Sequence, residues 1–517
     1  MATDATSSKK EVAVNAPQEK SGISINSLRV LTGETVGTLE PASGGFGTDL
    51  WRDTPRQVID TLISLLPVSP ASRTILDLRK KLLLTRAAVP AAVTSVGGSL
   101  LLRRAQALYR SGDLASTIAL LALVPPTHQE EALSKLAADV AFLGSDLAPA
   151  CDTVAAWVDR SQDRYWQKAL VFCEALNGAW ERVDFGMQLL IELNEGDEVF
   201  FALMRAIGGE TDAAYGLDVK TLRPLDVAMA RAARAGLPDP ADQIPAPWLL
   251  RGYIDDPATA PDNRFALVEQ AERRGIAEPS ELRRVYESMR ASSELLENAA
   301  SVATADSGHT GRALLFRATK AQGSNFGKAQ AIKQAGEVAA SRGLIGQIAR
   351  IYAPMVKELD VTSQLAWFAA DGALLLLAVG DFEAARPWLG VVEREAAFDP
   401  EIAKAWRRTW PLARLVAGDN LVEWRAERLQ EWWDGIREDD PEDAKRLAAT
   451  LFGLLEVLDD PVPSTAWRGL IGGAGRPFTK GPGLAVTRAL ADAVDGVRVG
   501  EAVSLLVIAL GDDPLGS

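Results

Sequence analysis

The sequence has few residues of the kinds that commonly carry metal or acid–base chemistry. Its 517 residues include two histidines, His128 and His309, and neither lies in a motif with partner ligands. HExxH, GxSxG and CxxC motifs are all missing. The acidic run 439–443 superficially matches a DDxxD metal motif, but Asp440 before Pro441 is also an ordinary acidic helix start. We therefore expect a protein that is not an enzyme and has no cofactor or metal.

Clustered positive charge and long apolar runs are also missing. The formal net charge is −14, which disfavours nucleic-acid binding because phosphate contacts require grouped Lys and Arg. No run approaches eighteen consecutive apolar residues, so we expect no membrane insertion. Residues 1–22 are polar and lack the apolar core of a signal peptide. The chain is then either cytoplasmic or the mature form of an exported protein whose leader was replaced by Met1.

The two cysteines, Cys151 and Cys173, bear on that choice of compartment. They lie eleven residues to either side of Gln162, which is about 16 Å along each of two paired helices. Nearby alanines would allow the close approach that a disulfide needs. A disulfide would favour a periplasmic location. The alternative is two buried free thiols, which fit a cytoplasmic location as well.

What the sequence does contain is helical periodicity. Between 139 and 193, apolar residues recur every three or four positions, as at Val154, Trp157 and Val158 and then at Trp166, Ala169 and Leu170. The polar break at 161–163 is short enough to force an antiparallel turn. Because β-branched alternation is scarce, the pattern predicts an all-α chain of helical hairpins.

A Gly–Asp phrase recurs at the ends of predicted helices. It stands at Gly112-Asp113, Gly380-Asp381 and Gly418-Asp419, and in looser form after Gly144 and Gly178. Glycine supplies a left-handed helix end, and aspartate accepts hydrogen bonds from the first amides of the next helix. The intervals 112 to 144, 144 to 178 and 380 to 418 are 32, 34 and 38 residues. Such spacing is typical of helical repeats.

The phrases at 105–113 (AQALYRSGD) and 373–385 (ALLLLAVGDFEAA) resemble the tetratricopeptide-like superfamily. The resemblance implies a right-handed α-solenoid of stacked hairpins whose concave face binds peptides or protein segments, with no catalytic residues. The chain also resembles helical proteins associated with the cell envelope of α-proteobacteria, and solenoids that accompany flagellar motors. The partner this implies is another protein, an envelope or motor component, while the oligomeric state stays open.

The composition along the chain predicts five parts. Residues 1–40 are a disordered or extended N-terminal segment, and 41–95 form an N-terminal helical pair. Residues 96–240 form a helical-repeat arm, and the Pro-rich stretch 241–310 forms an irregular elbow with one helix from Pro279 to about Ala303. Residues 311–517 form a second repeat arm, interrupted by a glycine loop at 472–483 and capped by two final helices.

Six tryptophans in the second arm are candidate partner-binding residues. They are Trp388, Trp406, Trp410, Trp424, Trp432 and Trp433. One interpretation is an aromatic platform for an extended peptide or a glycan, and the other is core filling between repeats. We therefore expect a protein-binding scaffold, periplasmic and associated with an envelope machine. The alternative is a glycan-binding protein or a helical enzyme acting on glycans or isoprenoids.

Overall fold

A computed structural model describes residues 34–70, 72–90, 99–125, 130–210, 217–240, 245–305, 307–439, 441–470 and 483–511. Within these ranges the protein is all-α, as the sequence predicts, with one isolated β-bridge between Leu39 and Thr85. The predicted N-terminal tail before residue 34, His128, Asp440 and residues 472–482 of the glycine loop lie outside the described residues.

Twenty-six α-helices lie in the described ranges. The first thirteen are α1 (Arg56–Leu65), α2 (Arg73–Leu84), α3 (Leu100–Arg110), α4 (Leu114–Leu121), α5 (Glu131–Leu143), α6 (Ala148–Trp157), α7 (Arg164–Leu176), α8 (Trp180–Glu192), α9 (Glu198–Ile207), α10 (Pro224–Ala232), α11 (Pro247–Asp255), α12 (Pro261–Arg273) and α13 (Pro279–Glu287). The others are α14 (Ser293–Glu297), α15 (Ala299–Ala305), α16 (His309–Ala321), α17 (Asn325–Ala340), α18 (Ile345–Lys357), α19 (Ala366–Ala378), α20 (Phe382–Glu395), α21 (Pro400–Ala417), α22 (Ala426–Asp439), α23 (Pro441–Val457), α24 (Ser464–Gly469), α25 (Leu484–Asp495) and α26 (Val499–Leu510).

The Gly–Asp phrase forms the predicted helix junctions at two of its three full copies. Gly112 and Gly380 have positive φ, and the carboxylates of Asp113 and Asp381 accept from the Ser116 and Ala384 amides. The copy at Gly418 is different, because a short 3-10 turn follows and α22 starts only at Ala426. There the carboxylate of Asp419 binds Arg414 instead of capping a helix. The sequence does not distinguish these cases, because the Arg414 contact is specific to this junction.

Two other local predictions are wrong. Gly144 ends α5 with an extended backbone, so it is not a left-handed helix end. The single helix expected from Pro279 to about Ala303 is divided into α13, α14 and α15. The Ser292 hydroxyl accepts from the Leu295 amide and starts α14, because a serine at this position competes with helix continuation.

Consecutive helices pack against each other over most of the described chain. Alternate helices also touch, and these pairs are α1 with α3, α3 with α5, α7 with α9, α14 with α16, α15 with α17, α17 with α19, α19 with α21, and α21 with α23. Contacts between neighbours and next-neighbours are what stacked hairpins produce. The arrangement is therefore consistent with a helical-repeat solenoid.

Helix α10 departs from simple stacking. It packs against α5 and α9, and all seven residues from Pro224 to Ala230 are buried. The guanidinium of Arg231 at its end donates to the carbonyls of Leu143 and Gly252, at 3.0 and 3.1 Å. Helix α10 therefore covers part of the surfaces of α5 and α9.

A non-helical segment, residues 34–39, packs against the first helices. Both carboxylate oxygens of Glu34 accept from Arg56, at 2.6 and 2.7 Å. The buried Arg104 guanidinium donates to the carbonyls of Val36, Leu83 and Thr85, and burial lowers the pKa of Arg104 to about 10. This segment thus contacts the first helices without being helical itself.

The C-terminal hairpin of α25 and α26 returns to the start of the chain. Helix α26 packs against α1 and α2, and Val507 is buried in the same core as Ile59 and Leu83. The amide of Gly500 donates to the carbonyl of Leu50 at 2.8 Å. The last helices therefore complete the core of the first helices. The five-part division of the chain stays a prediction.

Candidate protein-binding face

The two cysteines occupy neighbouring helices and are bonded to each other. Cys151 on α6 and Cys173 on α7 form a disulfide, with Cα atoms 5.7 Å apart. Cys173 is buried against Trp166 and Phe172 in the core of these hairpins. The disulfide therefore ties α6 to α7.

The six candidate tryptophans divide into two groups. Trp388, Trp410, Trp432 and Trp433 are buried in the main hydrophobic core, so their indoles present no surface to a partner in this structure. Core packing is the physical reason, because each fills space between adjacent helices. Trp406 and Trp424 are half-buried, and the Arg428 guanidinium lies 5.6 Å from the Trp406 ring centroid. The structure does not bring the six indoles together as one exposed platform.

A buried polar cluster joins α12 to its neighbours. Glu269 accepts from the Arg312 guanidinium and from the Tyr286 hydroxyl. Glu272 binds Arg350 and accepts from the Gln347 amide at 2.8 Å. Burial and the adjacent Glu269 carboxylate raise the pKa of Tyr286 well above its ordinary value. Because the charges are paired with each other across four helices, the cluster acts as a structural tie.

A second polar group lies between α5 and α7. The Tyr165 hydroxyl donates to the Asp139 carboxylate at 2.8 Å, and the Lys135 ammonium lies 4.5 Å from the Tyr165 ring centroid. Burial raises the pKa of Asp139 to about 6, even though the bonds with Tyr165 and the charges of Lys135 and Arg223 oppose the change. This carboxyl can therefore change its charge between pH 5 and 7.

Only a small part of the surface of helix α8 is buried. Val183 and Leu190 are its only buried residues, and α7 is its main packing partner. Gly186 brings the helices close, because a β-carbon there would lie 2.5 Å from a methyl group of Val171. One narrow strip thus attaches α8 to the body of the protein.

The other sides of α8 expose large apolar side chains in two rows. Phe185, Leu189 and Leu193 recur at four-residue intervals and are 70%, 38% and 38% exposed; we call them the α8 stripe. Trp180 and Ile191, eleven residues or about three turns apart, form a second row and are 43% and 60% exposed. Isolated exposed apolar residues are ordinary, but rows along one helix mark a contact surface.

An acidic row runs between these apolar rows. Glu181, Asp184 and Glu192, with Gln188 among them, follow at intervals of three and four residues, and all are exposed. We call the three carboxylates the acidic ridge. At about 100° per residue, the ridge lies between the α8 stripe and the second row. In the part of the chain that the structure describes, none of the three carboxylates has an ion-pair partner, whereas Arg182 pairs with Glu174.

Sequence reasoning missed this face, although a signal was present. Eight large apolar residues lie within 180–193, namely Trp180, Val183, Phe185, Met187, Leu189, Leu190, Ile191 and Leu193. A helix that packs on one side needs only a single apolar stripe, so the surplus marks a second contact surface. The sequence prediction placed the partner-binding residues at the six tryptophans of the second arm instead, and that assignment stays a prediction.

Across the described ranges, no group of three or more His, Cys, Asp or Glu side chains is arranged to hold a metal ion. None of the helices in this part of the chain combines the length and the apolar content that crossing a membrane requires. Comparisons with protein-family models, with curated proteins and with solved structures find no match to this chain.

Proposed function

We propose that this protein is a non-enzymatic scaffold of the tetratricopeptide-like kind, which holds another protein on its stacked hairpins. The observation that carries the proposal is the α8 stripe, an exposed apolar row on a helix that is attached to the protein along one side only. Burial of large apolar side chains is the main favourable contribution to protein association, at about 25 cal/mol per Å².

The size of the face sets the expected strength of binding. Helix α8 is thirteen residues long, or about 20 Å, which is less than the length of a usual stable interface. Contacts through α8 alone therefore favour reversible binding, with a dissociation constant on the order of micromolar. A stronger complex would need further contacts on neighbouring hairpins.

Site-specific crosslinking in the native cell tests the proposal. A photo-crosslinking phenylalanine analogue at position 185 should give a discrete adduct with another protein. The same analogue at Phe398, which is 85% exposed away from α8, is the matched control. Phe185→Asp and Leu189→Asp should abolish adduct formation from position 193 while the helical circular dichroism is unchanged. An adduct pattern at 185 that equals the pattern at 398 would contradict the proposal.

For the cellular location, we propose the periplasm and a role beside an envelope machine such as the flagellar motor. The Cys151–Cys173 disulfide supports this part, because structural disulfides persist in oxidising compartments. Alkylation of thiols in intact cells, followed by mass spectrometry, should recover the disulfide peptide. Free alkylated Cys151 and Cys173 would support the cytoplasm instead, and crosslinked partners from outside the envelope would remove the motor role.

The alternative of glycan binding has less support. A glycan platform needs exposed aromatic faces, and of the six tryptophans only Trp406 and Trp424 are partly exposed. The fluorescence of Trp406, isolated by comparison with Trp406→Phe, should therefore not respond to glycan fragments.

A further inference from the structure

The chemistry of the α8 partner follows from the charges beside the α8 stripe. We infer that α8 receives an amphipathic helix of another protein, with an apolar side on the α8 stripe and Lys or Arg residues along the acidic ridge. This inference rests on the proposed function and specifies its partner. It is carried by the juxtaposition of an exposed apolar row and three carboxylates without partners.

The geometry of α8 favours a helix as the ligand. Phe185, Leu189 and Leu193 form a row with a spacing of one turn, and a second helix packs into such a row with its own residues at i, i+3, i+4 and i+7. A partner segment of about thirteen residues would match the length of α8. Shorter segments would leave part of the stripe in water.

The negative charges of the acidic ridge favour a partner helix with basic flanks. The acidic ridge lies along one edge of the α8 stripe, so any helix packed on the stripe places one of its flanks beside Glu181, Asp184 and Glu192. A flank of Lys or Arg gains three attractive pairs, while an acidic flank meets three repulsions. The preference for the basic flank over the acidic flank should exceed about tenfold.

A second copy of this chain fits less well. A two-fold contact between antiparallel α8 helices would set the acidic ridge of one copy beside that of the other, and the chain carries a net charge of −14. Repulsion between the ridges would oppose the apolar contact. The partner is therefore a different and locally basic protein segment.

Synthetic peptides and the full-length protein provide the test. Three fluorescent fifteen-residue helical peptides would share one apolar side and carry Lys, Gln or Glu on both flanks. By fluorescence anisotropy, the Lys peptide should bind at least about tenfold more tightly than the Glu peptide. Raising NaCl to about 0.5 M, where the Debye length falls to a few ångströms, should reduce this difference to less than about threefold.

Charge reversal on α8 supplies the matched comparison. Glu181→Lys/Asp184→Lys/Glu192→Lys should invert the preference, so that the Glu peptide binds more tightly. The control is Glu427→Lys/Glu431→Lys/Glu438→Lys on α22, which changes the same number of exposed carboxylates and should leave the preference unchanged. Phe185→Asp/Leu189→Asp should reduce binding of all three peptides.

The outcomes separate this inference from the proposed function. Equal binding of the three peptides, or an α22 reversal as effective as the α8 reversal, would overturn the basic-helix partner. Protein crosslinking at position 185 would still support a scaffold in that case. Self-association in sedimentation that Phe185→Asp abolishes would instead assign α8 to a second copy and overturn the inference. Loss of crosslinking at 185 would overturn the proposed function itself.

Discussion

Tyr165 donates a hydrogen bond to the carboxylate of Asp139 at 2.8 Å, yet the pKa of that carboxyl is raised to about 6. Burial is the dominant influence, and it exceeds the opposing effects of Tyr165, Lys135 and Arg223. The pair shows that a hydrogen bond to an ionised group does not always offset the loss of its hydration.

This raised pKa predicts a pH-dependent stability. The folded chain binds the Asp139 proton more tightly than the unfolded chain, whose Asp pKa is about 4. The stabilisation that protonated Asp139 provides is therefore full at acid pH and is lost as pH rises through about 6. The free energy of unfolding of wild type relative to Asp139→Asn should fall by on the order of 1 kcal/mol between pH 5 and pH 7.

Urea unfolding of both proteins at the two pH values measures this change. Asp152→Asn, at an exposed carboxyl on α6, is the control for loss of one charge. A difference between wild type and Asp139→Asn that stays constant from pH 5 to pH 7 would contradict the prediction.

For the buried pair of Glu269 and Arg312, we predict that removing the arginine alone destabilises the protein more than removing both charges. Arg312→Met leaves a buried carboxylate without its partner and should reduce the free energy of unfolding by about 3–5 kcal/mol. Glu269→Leu/Arg312→Met removes both charges and should be less destabilised than the single variant.

Lys320→Met is the control, because Lys320 and Glu287 form an exposed pair whose loss should change stability by at most about 1 kcal/mol. Chemical denaturation of the four proteins measures these effects. A double variant that is less stable than Arg312→Met would show that the carboxylate is tolerated without its partner.

The disulfide should contribute directly to stability. Cys151 and Cys173 are 22 residues apart, and closing a loop of this length in the unfolded chain stabilises the folded state by about 3 kcal/mol. Cys151→Ser/Cys173→Ser should therefore unfold at a lower urea concentration than the oxidised wild type.

Reductant supplies the internal check. It should lower the unfolding midpoint of the wild type and leave that of the double serine variant unchanged. An identical midpoint for oxidised and reduced wild type would remove any stabilising role for the disulfide.

The close packing around Gly500 predicts that the contact between the two ends of the described chain contributes to the stability of the protein. A β-carbon there would lie 2.5 Å from the Trp51 ring and 2.6 Å from the Leu50 carbonyl oxygen. Gly500→Ala should therefore destabilise the protein by about 1–3 kcal/mol through overpacking.

Gly453→Ala on α23 is the matched control, since no atom would lie within 4 Å of the new methyl group. That substitution should be neutral or stabilising by up to about 1 kcal/mol, because alanine favours a helix. Equal melting temperatures for the two variants would argue against close packing at Gly500.

Much of the local structure could be predicted because its causes are local. The Gly112-Asp113 and Gly380-Asp381 junctions follow from glycine conformation and aspartate capping, and two helices end the described chain as the sequence predicts. The prediction for Gly418-Asp419 failed because Arg414 binds the Asp419 carboxylate and also pairs with Asp460, which lies 46 residues further along the chain.

The packing between helices that are distant in sequence could not be predicted from local sequence patterns. Nothing near Pro224 indicates that α10 lies against α5 and α9, and nothing near Val507 indicates that it joins the core of Ile59. Apolar periodicity shows which side of a helix is buried, but it does not identify the surface that covers it. The surplus of apolar residues on α8 was visible in the sequence, but the exposure of Phe185 depends on which helices fail to reach it.

The packing of α26 on α1 and α2 has a consequence for biosynthesis. A ribosome releases α1 and α2 first, when the segment containing Val507 has not yet been translated. The apolar surface of α1 and α2 that α26 covers must therefore stay exposed until α26 has left the exit tunnel. Nascent chains that stall before α26 should consequently be bound by chaperones at their N-terminal end.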